Sequence, residues 1–355
     1  MPCNTCAAPA DTAPKAACQT CPITMGKGKK PVFEIDAKTV IDFESDFKHK
    51  LLCDGITFSL GSVCVYSCAF CYVIPMLVKQ TAIQMVKRQA SLLDRGLEDV
   101  VIRRRDALKV LRKQLTMNKP PGVNLQKRAV VFTSPLVDPA PNMDMAIETA
   151  AACRMMFELT ALDVRILSKS NLLPKIAALI PDEFRHRLIF GVSTGTLDDV
   201  LANSFEIGTA HVSKRLASLH RLQDKGYRTY GMLCPILPQE DYDAYAEQAL
   251  EAIRVDRCEH VWAEVINLRG DSFTATVEAM EKRGFLKEAE RLRGVCGPGS
   301  TEAWEQYSRD TFEALAKRVP PEKLRFLQYV TDKSLDWWWP QQSRGAVLLG
   351  AAAGH

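Results

Sequence analysis

No apolar run in the 355-residue sequence approaches the roughly 20 residues that a membrane-spanning helix needs. The first residues, MPCNTCAAPADTAPK, lack the apolar stretch of a secretory signal. Internal repeats and long low-complexity runs are also missing, which removes solenoid architectures. The net charge of +4 is too small an excess for so long a chain to demand a nucleic-acid partner, although it permits a local basic groove. These absences lead to the expectation of a cytoplasmic protein with no membrane contact.

What is present is a large core and an unusual stock of thiols. Hydrophobic residues make up 47% and charged residues 25%, the balance of a globular chain. Its length suits two domains or a single α/β barrel. Twelve cysteines are many for a reducing compartment. At short spacings they read there as metal ligands rather than disulfides.

Residues 1–30 are rich in Cys, Ala, Pro, Thr and Lys and show no period. They read as a small metal-held or flexible appendage ending in the linker MGKGKKP. From residue 54 the chain alternates. GITFSL (55–60) is expected as a buried strand and PMLVKQTAIQMVKRQASLLDRG as a long helix. DVVI (99–102) reads as an edge strand before the helix DALKVLRKQL. Further strands are expected at RAVVFTS (128–134), DVRILSKS (163–170), RLIFGVST (187–194), RTYGMLCPILP (228–238) and HVWAEVINLRG (260–270). Helical stretches separate them, one with Asn171 as its expected N-cap. The remainder reads as mostly helical, with LRFLQYV (324–330) as one more strand. Apolar strands alternating with helices point to a parallel sheet covered by helices. Six or so units suit a partial (β/α)6 TIM-type barrel better than a closed one. The expected division is an appendage at 1–30, the barrel at 31–275 and a helical C-terminal extension at 276–355. Polar residues gather at the carboxyl ends of the strands, where such barrels keep their chemistry. They are Ser134, Ser168, Lys169, Ser193, Thr194, Cys234 and Glu264.

After the first strand, SVCVYSCAFCYV (62–73) carries Cys64, Cys68 and Cys71. A closed structural zinc site wants four ligands. A thioredoxin-like Cys68-Ala-Phe-Cys71 leaves Cys64 unexplained. Buried inert thiols form a third reading. A [4Fe–4S] cluster on three thiolates uses all three cysteines and leaves one iron open. Tyr66, Phe70 and Tyr72 interleave them, either as packing or as a shield.

C-x3-C-x2-C in this position, with an aromatic before the last cysteine, resembles the radical SAM signature. Over about residues 55–270 the sequence is most similar to the spore photoproduct lyase-like, or DNA repair photolyase-like, group. CAFCYV, VVIRRRDALKVLRKQL, VFTSPLVDP, VRILSKSNLL, GVSTGTLDDVLANSFE, SKRLASLHRLQDKGY, GMLCPILP and EVINLRG carry the likeness, in the family's order. The resemblance implies a [4Fe–4S] cluster on Cys64, Cys68 and Cys71, with S-adenosylmethionine as the ligand of the open iron. It implies reductive cleavage to a 5′-deoxyadenosyl radical that abstracts hydrogen, fed by a reductant such as flavodoxin or ferredoxin. The implied substrate is DNA, with a small molecule, a peptide or RNA as the alternative. Phe70 is expected to shield the cluster near the adenine and Ser134 to meet the methionyl amino group. Lys169 is expected at the ribose or carboxylate and Ser193 at the ribose. Glu206 and Arg215 match the family's E-P…R element, with Arg215 a candidate for the carboxylate, since a planar guanidinium suits one.

Two departures stand out. The family's hydrogen-donating cysteine before T-S is replaced by Phe132, and D-P is displaced to Asp138–Pro139. Cys234 offers another hydrogen donor, unless it is only a small buried residue.

Cys3, Cys6, Cys18 and Cys21 form C-x2-C-x11-C-x2-C, a strong metal pattern that fits zinc or a second iron–sulfur cluster. The alternative is a reactive tail. Cys53, Cys153, Cys258 and Cys296 read as structural. KGKKP, RRR (103–105) and other basic runs are either solvated faces or a phosphate-tracking surface. The tryptophans of DWWWPQQSRG (336–345) read as packing. A non-catalytic, metal-dependent nucleic-acid-binding protein is the reading from a different class.

Overall fold

The computed structural model describes residues 30–117, 119–133, 135–267, 272–297 and 301–350. Eight parallel strands run in chain order across one sheet: β1 (Ile56–Phe58), β2 (Val130–Thr133), β3 (Asp163–Ser168), β4 (Leu188–Ser193), β5 (Arg228–Ile236), β6 (Val261–Val265), β7 (Leu324–Tyr329) and β8 (Ala346–Leu349). Each pairs in parallel with its neighbour, and Ile41–Asp42 adds an antiparallel edge to β1. No pairing joins β8 to β1, so the barrel is open. β1 to β6 are the expected partial (β/α)6 barrel. The segment expected as a helical extension contributes two more strands beside β6.

The strands are apolar because both faces are covered; all six residues of β4 are buried. Outside lie helices such as Met143–Leu159 and Tyr242–Ala252, started by Asn142 and Asp241, whose side chains accept from Met145 N and Ala244 N. Asn171 does not cap the helix after β3. That helix starts beyond Leu172, whose N–H donates to Ser170 Oγ instead. The long helix expected after the cysteines is two, Val73–Leu77 and Thr81–Ser91. The side chain of Gln84 donates to the Val78 carbonyl at the break.

A second core fills the inside of the sheet with Phe132, Ile189, Tyr230, Met232, Trp262 and Leu327. Gly191 is needed there, because a Cβ on it would lie 2.4 Å from the Tyr230 ring. Residues 45–55 form a plug in this lumen. Phe47 stacks on Phe132 at 5.4 Å. Trp262 Nε1 donates to Lys50 O at 2.8 Å, and the buried Arg165 donates to Leu52 O at 2.6 Å. The Arg165 guanidinium also lies over the Trp262 ring at 4.8 Å, which offsets part of the cost of taking its charge out of water.

Within GITFSL the strand is Ile56–Phe58. After β1 the chain leaves the barrel, and Gly61–Val63 pairs with Val101–Arg105, which in turn pairs with Val32–Asp36. This three-stranded platform has its own core of Phe33, Val63, Ile83, Val86 and Ile102. Its last residue before the cysteine loop is Val63. The tryptophans near the C-terminus do pack: Trp338 is buried, stacks on Phe326 and donates to Glu305, while Trp339 is exposed.

Candidate active site at the strand ends

Cys64 leaves the platform, and the loop then returns to the barrel. Ser67–Cys68 pairs antiparallel with Glu206–Ile207, and Ala69 N donates to Phe205 O at 2.8 Å. Cys71 N donates back to Cys68 O at 3.1 Å. Burial pushes the Cys64 thiol up to about 12, with Asp138 and Cys71 adding to it. Burial and Glu206 push Cys68 well above the usual range. These thiols are therefore protonated in the metal-free chain and must lose their protons to any metal.

Among the described residues, no group of three or more His, Cys, Asp or Glu side chains is gathered for a single metal ion. A four-iron cluster takes each thiolate on a different iron and so asks for a wider triangle. Three part-buried cysteines on one short loop, none of them in a disulfide, fit that donor chemistry.

Lys169 follows β3 and reaches under the loop. Its Nζ lies 2.9 Å from Glu206 Oε1 and 2.7 Å from Ser193 Oγ, and 5.2 Å from the Phe70 ring centroid. Glu206 Oε2 meets Arg215 at 2.5 Å. Burial alone would push the Glu206 carboxyl up; Lys169 and Arg215 outweigh it and hold the group below its usual range. Phe70, Lys169, Ser193, Glu206 and Arg215 are thus brought together. Arg215 differs in one respect. It is 1% exposed, and its guanidinium donates to Ala210 O, Ser193 O and Thr209 Oγ1 as well as meeting Glu206. A ligand carboxylate would have to displace one of these partners.

Asp138 is a member that strand-end reasoning overlooked. Its carboxylate accepts from Lys169 N, Ser168 Oγ and Ala140 N at 2.8–2.9 Å, fixing the turn that aims Lys169. Its only sequence signal was the displaced D-P. Ser134, and Cys3, Cys6, Cys18 and Cys21, lie outside the described residues.

A second polar group sits across the mouth. Cys234 Sγ donates to Glu264 Oε2 at 3.8 Å, and Lys50 Nζ lies 3.5 Å from the same oxygen and 5.5 Å from the Tyr329 ring centroid. Burial pushes the Cys234 thiol up, with Glu264 adding to it. The backbone carbonyl of Cys234 accepts from Ser193 Oγ at 3.1 Å, so the two groups touch. Lys50 arrives from the plug, a segment with no periodicity to announce it. Phe132 is 2% exposed and belongs to the lumen core. Cys53, Cys153, Cys258 and Cys296 are buried free thiols.

No family model matches the chain, and no curated protein does. Among solved structures, spore photoproduct lyase with a cysteine-to-alanine substitution, holding dinucleoside spore photoproduct, matches with a TM-score of 0.50. The identity is 12%, covering 76% of this chain and 80% of that one. The same substituted enzyme without that ligand matches with a TM-score of 0.50 at 11% identity, over the same shares. No helix among the described residues is long and apolar enough to cross a membrane. The chain thus has the fold of spore photoproduct lyase.

Proposed function

We propose that this protein is a radical SAM enzyme, with the reaction centred on the cysteine loop and the carboxyl ends of β3 to β5. The observation that carries the reading is the docking of the loop: Cys68 shares a backbone ladder with Glu206, and Phe70 lies against Lys169. Lys169, Glu206 and Arg215 satisfy one another in that pocket, so their burial supports the reading only together with the cysteine loop docked over them.

Cys64, Cys68 and Cys71 would hold the [4Fe–4S] cluster. When bound, it supplies the electron that cleaves S-adenosylmethionine to a 5′-deoxyadenosyl radical. Lys169 and Ser193 would orient the ribose and carboxylate of that ligand. Phe70 would cover the adenine side and exclude water. Arg215 would act through Glu206, holding it against Lys169. Cys234 would serve as hydrogen donor in place of the cysteine lost at Phe132: its S–H bond breaks, a substrate C–H bond forms, and sulfur keeps the unpaired electron. Glu264 would aim that thiol.

The substrate proposal starts from the dinucleoside held by the structural neighbour, which makes DNA the first candidate. One observation favours a small molecule or peptide over DNA or RNA. The RRR run is not a free phosphate-tracking surface: Arg103 pairs with Glu148, Arg105 with Glu34 and Asp36, and Arg104 donates to Thr39 O and Ser59 O. Within the proposal Cys3, Cys6, Cys18 and Cys21 hold zinc or a second iron–sulfur cluster, and a flavodoxin or ferredoxin supplies electrons.

The test is anaerobic reconstitution followed by chromatography. Dithionite-dependent release of 5′-deoxyadenosine from S-adenosylmethionine is expected, with a loss of at least about 100-fold in Cys64→Ala, since each tenfold is about 1.4 kcal/mol of barrel-mouth chemistry. Release that survives in Cys64→Ala would sink the assignment.

A further inference from the structure

Lys30 opens the platform, one residue before Pro31, whose carbonyl accepts from Val101 N at 2.9 Å. Its side chain turns away from the strand and toward the cysteine loop. Nζ donates to Tyr66 O at 3.3 Å, midway between Cys64 and Cys68 in sequence, and to Glu98 O at 2.5 Å. Ser67 Oγ donates to the same Glu98 carbonyl at 3.4 Å, so the loop and the turn at Glu98 share one clamp. Burial lowers the Lys30 ammonium below its usual range, and the nearby Asp99 and Glu98 carboxyls oppose that shift.

The contrast with Lys169 gives the clamp its meaning. The Lys169 ammonium is matched by the Glu206 carboxylate at 2.9 Å. The two hydrogen-bond acceptors of Lys30 are neutral carbonyls. Its ammonium is thus anchored to the loop's own backbone at Tyr66. Reduction adds negative charge to an iron–sulfur cluster, and a nearby cation stabilises that state.

We infer that Lys30 is a positioning residue whose ammonium raises the reduction potential of a cluster held by Cys64, Cys68 and Cys71. The inference rests on the function proposed above and deepens it.

Anaerobically reconstituted full chains of the wild type, Lys30→Arg, Lys30→Gln and Lys30→Ala test it. Iron and sulfide are counted, and midpoint potentials are read by redox titration followed by electron paramagnetic resonance. Gln keeps a donor for the carbonyls but removes the charge; Arg keeps both. Equal iron content in all four is expected, with Gln and Ala titrating at more negative potentials and Arg close to wild type. A Gln variant with the wild-type potential overturns the inference, because the charge then has no part in it. Loss of iron in Ala, with Gln retaining both iron and potential, overturns it too and leaves a mechanical brace. A wild-type chain that assembles no four-iron cluster instead overturns the proposed function, and the inference with it.

Discussion

Lys169 and Lys50 both reach the strand ends, and both meet a glutamate there, but the two pairs are held very differently. Lys169 and Glu206 are 2.9 Å apart, their side chains 15% and 2% exposed, with Ser193 and Arg215 completing the set. Lys50 and Glu264 are 3.5 Å apart and 23% and 13% exposed, with a thiol at 3.8 Å. The first set has little freedom to move, which suits a ligand that always binds in one pose. The second is looser and can re-form around a guest, at a lower cost in preorganisation.

The comparison breaks most severely at Glu206. Glu206→Gln leaves Lys169 and Arg215 buried beside a neutral group, and the expected loss is about 3–5 kcal/mol of unfolding free energy. Denaturant titration reads this directly, and a loss within error would mean that the first set is not preorganised. The pH dependence has a definite sign. The folded-state carboxyl of Glu206 is held below the ordinary value of 4.5, so its stabilisation is full above that value and fades as pH falls through the lower folded value. The gap between wild type and Glu206→Gln is therefore level near neutrality and narrows in acid below about 4.5.

The seam between the two sets is next. A Cβ at Gly195 would lie 1.5 Å from the Pro235 carbonyl oxygen, beside Cys234. Gly195→Ala should cost about 1–3 kcal/mol as an overpacked contact. It should also uncouple the sets, lowering substrate turnover more than 5′-deoxyadenosine release. Equal losses in both assays would deny the seam that role.

Glu264→Gln is expected to have the smallest effect on stability, about 1–2 kcal/mol, because Lys50 keeps more contact with water than Lys169 does and the amide can still hydrogen-bond. Its mark should appear in chemistry instead. In deuterated solvent, transfer of an exchangeable deuteron from Cys234 to product should fall several-fold, by mass spectrometry. Unchanged transfer would separate Glu264 from the thiol.

The strands that frame the first set were legible from sequence because each is a run of apolar residues ending in a polar one, as in DVRILSK and RLIFGVS. Cys64, Cys68 and Cys71 were legible from spacing. β8 was not: AVLL is too short to distinguish a strand from a helical turn. Gly61–Val63 was not read as a strand, because its residues Ser62 and Val63 were counted with the cysteine loop. Lys50 and Arg165 were invisible as partners because a plug threading a barrel leaves no regular pattern. Arg215 was found by its motif, but its saturation by Ala210, Ser193 and Thr209 depends on tertiary packing alone.

The ladder between Cys68 and Glu206 also has a history in time. As the chain is synthesised, the cysteine loop emerges long before the segment that completes it, and a contact of such high sequence separation forms late. Until Glu206–Ile207 arrives, the loop has neither its partner strand nor the Phe205 carbonyl that holds Ala69. The three thiols therefore spend the early life of the chain outside the pocket that later shields them. Oxidants have access to them in that interval, which ends when Glu206–Ile207 pairs with the loop.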